Sequence, residues 1–165
     1  MTNIIKADIH DLPTIKDLAR KIWPFAYGEI LSVDQLEYML DKFYAIDSLT
    51  AQMNKSKHEF YLALNNDRPA GFISVGKSSS DPAVFILHKI YVLPELQGKS
   101  IGKSLLNFVI DKVKADGGKA LQLNVNRHNK AFHFYEKNGF ETILEEDIDI
   151  GNGYFMNDYR MELEV

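Results

Sequence analysis

Residues 84–109 constrain the fold of this chain more than any other stretch. The apolar run Val84–Val92 predicts a buried strand, and a short turn separates it from an amphipathic helix that opens near Ile101. A strand that enters a glycine-containing turn and then a helix directs free backbone N–H groups and the positive end of the helix dipole at one spot. The sequence therefore predicts an anion-binding site at this turn.

The turn can be compared with two common phosphate-binding motifs. A Walker A loop needs a glycine five residues before Gly98-Lys99-Ser100, where the chain has Leu93, so this motif is excluded. The dinucleotide-binding fingerprint needs three glycines at fixed offsets, and only Gly98 and Gly102 are present. A plain strand, turn and helix without a ligand remains the alternative.

A third motif fits better. The segment Gln97-Gly98-Lys99-Ser100-Ile101-Gly102 resembles the pyrophosphate loop of the GNAT superfamily of N-acetyltransferases, Gln/Arg-x-x-Gly-x-Gly/Ala, and departs from it at Ser100. We expect a serine to be compatible with this position if its φ is negative. Residues 129–140 are similar to the family signature Asn-x-x-Ala-x-x-Phe-Tyr-Glu-Lys-x-Gly-Phe, with one residue fewer between the Asn and the Ala. Two motifs in the family's order make the resemblance extend over nearly the whole chain.

The hydrophobic periodicity predicts the other elements. The first part of the chain contains a strand at 3–7, a helix capped by Asp11 that ends before Pro24, an aromatic loop at 23–28, a helix with a Ser32/Gln35 capping box that reaches Phe43, and helical turns at 47–54. Three strands follow, at 59–64, 70–76 and 84–92. The last part contains a helix through Val113, a strand at 120–125, a helix at 129–137, and strands at 141–150 and 159–164. This order predicts a mixed α/β (α+β) fold. The resemblance implies a mostly antiparallel sheet with a splayed pair of parallel strands, flanked by helices, in one domain over residues 1–165.

Composition narrows the function classes. The absence of cysteine excludes disulfides, thiolate metal sites and a cysteine nucleophile. A net charge of −4 argues against nucleic acid as the main partner and is compatible with a cationic substrate. We find no apolar run that could cross a bilayer and no leader-like segment. We therefore expect a cytoplasmic protein that binds neither metal, membrane nor nucleic acid, and we leave a homodimer open.

The resemblance implies acetyl-CoA as co-substrate. Backbone groups of Ile90, Tyr91 and Val92 would pair with the pantetheine arm. The pyrophosphate loop would comprise Gln97, Gly98, Lys99, Ser100, Ile101, Gly102 and Lys103. Asn129 would contact the cofactor or cap the following helix, and Asn126 or His128 could take its place.

The catalytic expectations rest on two residues. Tyr135 corresponds to the family's usual general acid, which protonates the departing thiolate; the alternative is a Tyr that only packs. His88 lies on the strand where many family members place a base, although it can also be a purely structural histidine. Lys89 is expected to be a solvated strand residue. Without cysteine, direct attack of the amine on the thioester is favoured over a covalent acyl-enzyme.

The acceptor is expected to be a small primary amine. Trp23, Phe25 and Tyr27 are candidates for the wall of its pocket, with Glu29 and Asp34 nearby. Aromatic and acidic groups suit a cation, and a polyamine is the favoured acceptor. The aromatic residues could instead form a hydrophobic lid. The remaining alternatives are acetylation of a protein N-terminus or lysine, and a silent acyl-CoA-binding module.

Overall fold

A seven-stranded sheet runs through the computed structural model, which describes residues 2–165. The strands are β1 Thr2–Lys6, β2 Glu59–Asn65, β3 Arg68–Lys77, β4 Val84–Val92, β5 Ala120–Asn126, β6 Glu141–Gly151 and β7 Tyr154–Glu164. The helices are α1 Leu12–Tyr27, α2 Val33–Tyr44, α3 Ile46–Asn54, α4 Ile101–Ala115 and α5 Ala131–Lys137. The spatial order is β1-β2-β3-β4-β5-β7-β6, in which β4 and β5 are parallel and the other described neighbours are antiparallel. The predicted fold class is confirmed.

The parallel pair is joined along only part of its length. Pairing between β4 and β5 ends at Leu87 and Leu123, although both strands continue beyond that point. On its other side, β4 pairs with β3 through a bulge at this position, and His88 is the extra residue between Leu87 and Lys89. A bulge bends its strand and increases the local twist. The sheet therefore opens into a V, which is the predicted splay.

The two faces of the sheet carry separate cores. The first core packs α4 and α5 against one face, and Leu105, Leu106 and Val109 are fully buried in it. The second packs α1, α2 and α3 against the opposite face and includes Tyr44 and Phe72. Each fully buried apolar side chain of this size contributes roughly 1.5–3 kcal/mol. Both layers reach the split in the sheet, so each can supply side chains to it.

The prediction that the first helix ends before Pro24 is wrong. α1 continues through Pro24 to Tyr27, and its C-terminal turn is closed by the bond from Gly28 N to Pro24 O at 3.0 Å. Proline costs a helix about 3 kcal/mol by intrinsic propensity. Here tertiary packing outweighs that cost, because Trp23 is 96 % buried among Tyr27, Tyr44 and Tyr91. The predicted aromatic loop is therefore the last turn of a helix.

Two predicted helix caps are only partly correct. Asp11 precedes α1, but its carboxylate accepts a hydrogen bond from Asp8 N, within a short 3-10 turn, and no side chain caps α1. Ser32 Oγ does accept from Gln35 N, as predicted. The Gln35 amide donates to Phe155 O at 2.9 Å instead of completing the box. It thereby ties α2 to β7, which begins at Tyr154, five residues earlier than predicted.

No helix of residues 2–165 is both long enough and apolar enough to cross a membrane.

Candidate active site

A cleft of about 980 Å³ opens where β4 and β5 separate. Its walls are the end of β4, the following turn, the first turn of α4, the end of β5 and the segment that leads into α5. All the residues predicted to contact the cofactor line this cleft except Lys99: Ile90, Tyr91, Val92, Gln97, Gly98, Ser100, Ile101, Gly102, Lys103 and Asn129. The sequence motif is therefore brought together as one surface.

The turn before α4 presents a run of free donors. Within residues 2–165, the six backbone N–H groups from Gly98 to Lys103 have no hydrogen-bond partner, and Ser104 N, bonded to Ser100 O at 3.0 Å, is the first to have one. The Gln97 amide donates to Val92 O at 3.4 Å and links the turn to the strand before it. Six clustered N–H groups at a helix N-terminus form an anion site, which suits a pyrophosphate.

Ser100 has a left-handed backbone with φ of 62°. We expected Ser at this position to be compatible with the loop if φ were negative, and that condition is not met. A left-handed conformation costs an L-residue roughly 1–2 kcal/mol, whereas glycine adopts it freely. The glycine of the family pattern at this position therefore has a conformational cause, and Ser100 introduces strain into the turn.

The free edge of β4 is a second feature of this cleft that suits an extended ligand. From His88 onward, the β5-facing side of β4 has no strand beside it, while its other side remains paired with β3. Such an edge can accept an extended chain of amides as an added strand. The edge and the donor-rich turn lie in the same cleft, so the residues present fit an amide arm that ends in a pyrophosphate.

Tyr135 lies at the inner part of this cleft and is 7 % exposed. Burial raises the pKa of Tyr135, and the nearby Tyr27 raises it further, so the phenol stays protonated and can donate. Asn129 also lines the cleft, and its Oδ1 accepts from Ala131 N at 2.9 Å. Asn129 therefore has the capping interaction as well as the position expected of a cofactor contact. His128 lines the cleft too, whereas Asn126 faces a different cavity.

That second cavity, of about 440 Å³, lies against the α1–α3 side of the split. Side chains of α1, α2, α3, β5 and β7 form most of its wall. Both cavities are lined by Tyr27, Leu87, His88, Lys89, Tyr91 and Asn124. They therefore meet at the split, which is the arrangement needed for two substrates that react with each other. After the substrates that the sequence predicts, we call the first one the cofactor cleft and the second one the acceptor cavity.

The residues predicted for the acceptor wall are only partly in place. Trp23 and Tyr27 line the acceptor cavity, and the Tyr27 hydroxyl bonds to the Tyr91 hydroxyl at 2.8 Å. Phe25, which is 76 % exposed, and Glu29 line the cofactor cleft instead. Asp34 lies at the exposed start of α2 and lines neither cavity. The different placement of Phe25 follows from the extension of α1, because alternate residues of a helix point to different sides.

Asp158 is the carboxylate of the acceptor cavity, and our sequence prediction missed it. Its side chain is almost fully buried, accepts a 3.4 Å hydrogen bond from Asn124 Nδ2 and forms no ion pair within residues 2–165. Burial raises the pKa of Asp158, and neighbouring Glu146 also raises it, against a lowering by Asn124 and Arg127. A buried carboxylate without a cation can bind an ammonium group.

His88 occupies the bulge and faces both cavities. Its ring stacks on His58, with centroids 3.8 Å apart and planes inclined by 16°. Gly76 makes room for this pair, since a Cβ there would lie 3.1 Å from His58 Cδ2 and 3.4 Å from His88 Nε2. Desolvation lowers the pKa of His88, and His58 and Lys89 lower it further. His88, although exposed to the cleft, is therefore a neutral and weakly basic imidazole.

Lys89 is not the solvated residue we expected. Its stem is packed beneath the acceptor cavity, and Nζ lies 5.4 Å from the ring centroid of Tyr44 and 5.8 Å from that of Phe60. Nζ donates to Gln52 Oε1 at 2.7 Å. Desolvation lowers the pKa of Lys89 to about 8. The sequence contains the signal, a lysine in an apolar strand, but cannot show which elements cover it.

Comparison with known proteins agrees with this geometry. Residues 29–163 match the family model of an acetyltransferase (GNAT) domain. The chain is 32 % identical over 158 residues to a spermidine N(1)-acetyltransferase of Thermoplasma acidophilum, covering 93 % of this chain and 94 % of that protein. It is also 33 % identical over 106 residues to the ribosomal protein bS18-alanine N-acetyltransferase of Haemophilus influenzae, covering 62 % and 67 % of the two chains.

The comparison with solved structures adds a coenzyme A complex. The PaiA N-acetyltransferase of Thermoplasma acidophilum, solved in complex with coenzyme A, superposes with a TM-score of 0.84 at 29 % identity and covers 100 % of this chain and 99 % of that one. A GCN5-related N-acetyltransferase of Rhodopseudomonas palustris has the same TM-score at 18 % identity, covering 100 % and 96 % of the two chains. The second likeness concerns the fold alone.

Proposed function

The chain belongs to the GNAT superfamily of acetyl-CoA-dependent N-acetyltransferases, and on that premise we propose that it acetylates a primary amine of a small cationic molecule, with a polyamine as the favoured acceptor. The observation that carries the proposal is Asp158, a buried carboxylate without a cation partner in a cavity that meets the cofactor cleft. The 32 % identical relative that is named for spermidine supports the same acceptor class.

The cofactor side of the proposal assigns the predicted residues to parts of acetyl-CoA. The free N–H groups from Gly98 to Lys103 hold the pyrophosphate, and the dipole of α4 adds to the attraction. The open edge of β4 at Ile90–Val92 pairs with the pantetheine amides. This places the thioester at the split, next to Tyr135 and His88, which line the same cleft.

The acceptor side uses charge and apolar surface together. One ammonium of a polyamine binds Asp158, the methylene chain packs on aromatic faces such as Trp23 and Tyr27, and the second nitrogen reaches the split. Cation–π attraction to such rings contributes about 0.5–2 kcal/mol. A cavity of about 440 Å³ lies within the range of small-molecule sites, which favours a small acceptor over a peptide.

In the reaction we propose, the neutral amine attacks the thioester carbonyl directly. The carbon–sulfur bond breaks, and the Tyr135 phenol gives its proton to the departing thiolate. Burial keeps the phenol protonated until the thiolate forms, although the raised pKa also makes it a weaker acid. A solvent proton then restores Tyr135.

The test compares spermidine with a monoamine of equal length at low and high salt, with thiol release as the readout. We expect a higher kcat/KM for spermidine that falls as salt rises, because part of the attraction is screened Coulomb energy. Asp158→Asn should raise the KM for spermidine about 10- to 100-fold, since a hydrogen bond to a charged group is worth about 1.5–3 kcal/mol. Asp34→Asn is the control and should leave the KM unchanged.

The pH dependence follows from the raised pKa of Asp158. As pH falls, this carboxylate is protonated at a higher pH than an ordinary Asp. The KM for spermidine should therefore begin to rise at a higher pH than that at which exposed carboxylates become protonated. Equal, salt-insensitive rates for both amines would contradict the polyamine proposal. Transfer only to peptides would favour protein acetylation, and no transfer to any amine would favour a silent acyl-CoA-binding module.

A further inference from the structure

We propose that Lys89 is the proton acceptor for the acceptor amine: its side chain takes the proton that the incoming ammonium must lose before it attacks. The inference rests on the proposed amine acetylation and adds the base, which neither the comparisons nor the family motifs assign. It is carried by the place of Lys89 in the fold, on the bulged segment of β4 that lines both cavities.

The position of the Lys89 amine is fixed by a chain of hydrogen bonds. Gln52 Nε2 donates to Phe43 O at 2.9 Å and to Ser48 Oγ at 3.2 Å. These two bonds leave Gln52 Oε1 facing Lys89, whose Nζ donates to it at 2.7 Å. One hydrogen-bonding position of Nζ is therefore occupied by Gln52, and the others are available to a molecule in the acceptor cavity.

The surroundings of Nζ disfavour a charge. Within residues 2–165, no carboxylate lies at ion-pair distance from it, and the cation–π attraction of the nearby Tyr44 and Phe60 faces offsets only part of the hydration that an ammonium loses here. Ser74, which pairs with Lys89 across β3 and β4, is fully buried, and its hydroxyl has no partner. An ammonium that is partly withdrawn from water and has no counter-ion is costly, and the neutral amine removes that cost.

The histidines and the tyrosine that share the site add no negative charge that would hold an ammonium at Nζ. His58 and His88 interact electrostatically with Lys89, and protonation of either would oppose a charge on Nζ. Tyr44 is buried and neutral, since desolvation raises its pKa. Asp158, in the wall of the same cavity, would attract a cation, but under the proposed function it is matched by the second ammonium of the acceptor.

The step balances without a further reactant. Neutral Nζ takes one proton from R–NH₃⁺, which leaves a neutral amine whose lone pair forms the N–C bond as the C–S bond breaks. The thiolate takes its proton from Tyr135, and Lys89 returns its own to solvent. A base is most effective when its pKa lies near the operating pH. With a pKa lowered to about 8, Lys89 meets that condition better than His88, whose pKa is about 3.

The first test separates acceptors that need a base from one that does not. Ethylamine is protonated at neutral pH, whereas 2,2,2-trifluoroethylamine has the same skeleton and is already neutral. For ethylamine at pH 7.5, we expect Lys89→Met to lower kcat/KM about 100-fold or more. For trifluoroethylamine, the loss should stay within about fivefold. Lys89→Arg should behave like Lys89→Met, because a guanidinium cannot accept the proton.

The control is Lys42→Met, since Lys42 also lies over a tyrosine ring, at 5.9 Å from the Tyr38 centroid, but lines neither cavity. It should leave both rates unchanged. Equal losses for the two amines in Lys89→Met, or full activity of Lys89→Arg, would overturn the proposal and leave Lys89 a binding or packing residue.

A second readout does not depend on activity. In ¹⁵N-lysine NMR, the Lys89 Nζ signal is identified by its disappearance in Lys89→Met. It should titrate near pH 8, whereas exposed lysines titrate at about 10.4. A midpoint at the ordinary lysine value would overturn the proposal. If ethylamine is turned over but spermidine has no advantage, the polyamine proposal fails while the Lys89 comparison stands. Absence of turnover with every amine overturns both.

Discussion

The two sides of the split sheet present different groups, backbone on one side and side chains on the other. In the cofactor cleft, the free N–H groups from Gly98 to Lys103 and the open edge of β4 are backbone groups within one continuous stretch of chain. The wall of the acceptor cavity is assembled from side chains of α1, α2, α3, β4, β5 and β7. Under the proposed function, the first side recognises acetyl-CoA by main-chain geometry, and the second recognises the amine by the charge and shape of separate side chains.

The difference has a physical consequence. A backbone-built site tolerates many side chains, provided that the turn can form, so it suits a co-substrate shared by a whole family. A side-chain-built site changes whenever one of its contributing elements shifts, so it can vary in specificity while the fold stays the same. Asp158 and Lys89, which lie on two strands of the second side, are of this kind.

The largest effect is expected from removing the proton donor at the point where the two sides meet. Tyr135→Phe keeps the buried ring and removes only the proton donor. We expect kcat to fall by about 10² to 10⁴ and the affinity for acetyl-CoA to stay within about threefold. The measurement is single-turnover transfer, so that chemistry and not product release limits the rate.

Tyr159→Phe serves as the matched control for this variant. Tyr159 packs on Phe132, with ring centroids 5.3 Å apart, and lines neither cavity. Its loss of a hydroxyl should leave kcat unchanged. A Tyr135→Phe enzyme with full single-turnover rate would assign Tyr135 to packing and would move the proton donor to another group in the cleft.

The same contrast explains what the sequence could predict. The cofactor turn is local, so the spacing of Gln97, Gly98 and Gly102 was sufficient to locate it, and the alternating strands were sufficient for the fold class. Asp158 could not be found, because it lies in a strand whose pairing with β5 brings it to the split. Lys89 was misjudged for a related reason, since Tyr44 and Gln52 come from helices about 40 residues earlier in the chain.

The errors at α1 and at Ser100 have other causes. Pro24 predicts a helix end by local propensity, and burial of Trp23 overrides it. The sign of φ at Ser100 is a property of the formed turn, and serine by itself does not indicate a left-handed residue.

A smaller effect is expected at Ser100, where substitutions test how much the backbone of the turn contributes to acetyl-CoA binding. Ser100→Gly should relieve left-handed strain and stabilise the protein by up to about 1 kcal/mol, with acetyl-CoA affinity within about tenfold of wild type. Ser100→Val should lower both stability and affinity, because a β-branched side chain crowds the turn. Thermal unfolding with and without acetyl-CoA measures both quantities, since binding to the folded state raises Tm.

Asn152 provides the comparison position for these variants. It also has a left-handed backbone, with φ of 55°, but lies in the β6–β7 turn and lines neither cavity. Asn152→Val should cost stability without changing the shift in Tm produced by acetyl-CoA. If Ser100→Val and Asn152→Val leave that shift equally unchanged, the backbone at Ser100 does not contact the cofactor.

The smallest expected effect on substrate binding concerns the hydrogen bond that links α1 to β4. The Tyr27 and Tyr91 hydroxyls are 2.8 Å apart, and burial raises the pKa of both. Tyr27→Phe leaves the Tyr91 hydroxyl buried without a partner and should cost about 2 kcal/mol of unfolding free energy. Tyr91→Phe should cost less, about 1 kcal/mol, because the Tyr27 hydroxyl still has Asn129 beside it.

Together with the single variants, the double variant tests to which of the two sides this bond belongs. Removing both hydroxyls should cost less than the sum of the two single changes, with a coupling of about 1 kcal/mol measured by urea unfolding. Tyr38→Phe is the control, since the Tyr38 hydroxyl donates to Ile150 O at 2.7 Å and does not touch β4. Tyr27→Phe should raise the KM for the amine a few-fold without changing acetyl-CoA affinity. Additive costs, or a change in acetyl-CoA affinity larger than that in the amine KM, would show that this bond belongs to the cofactor side.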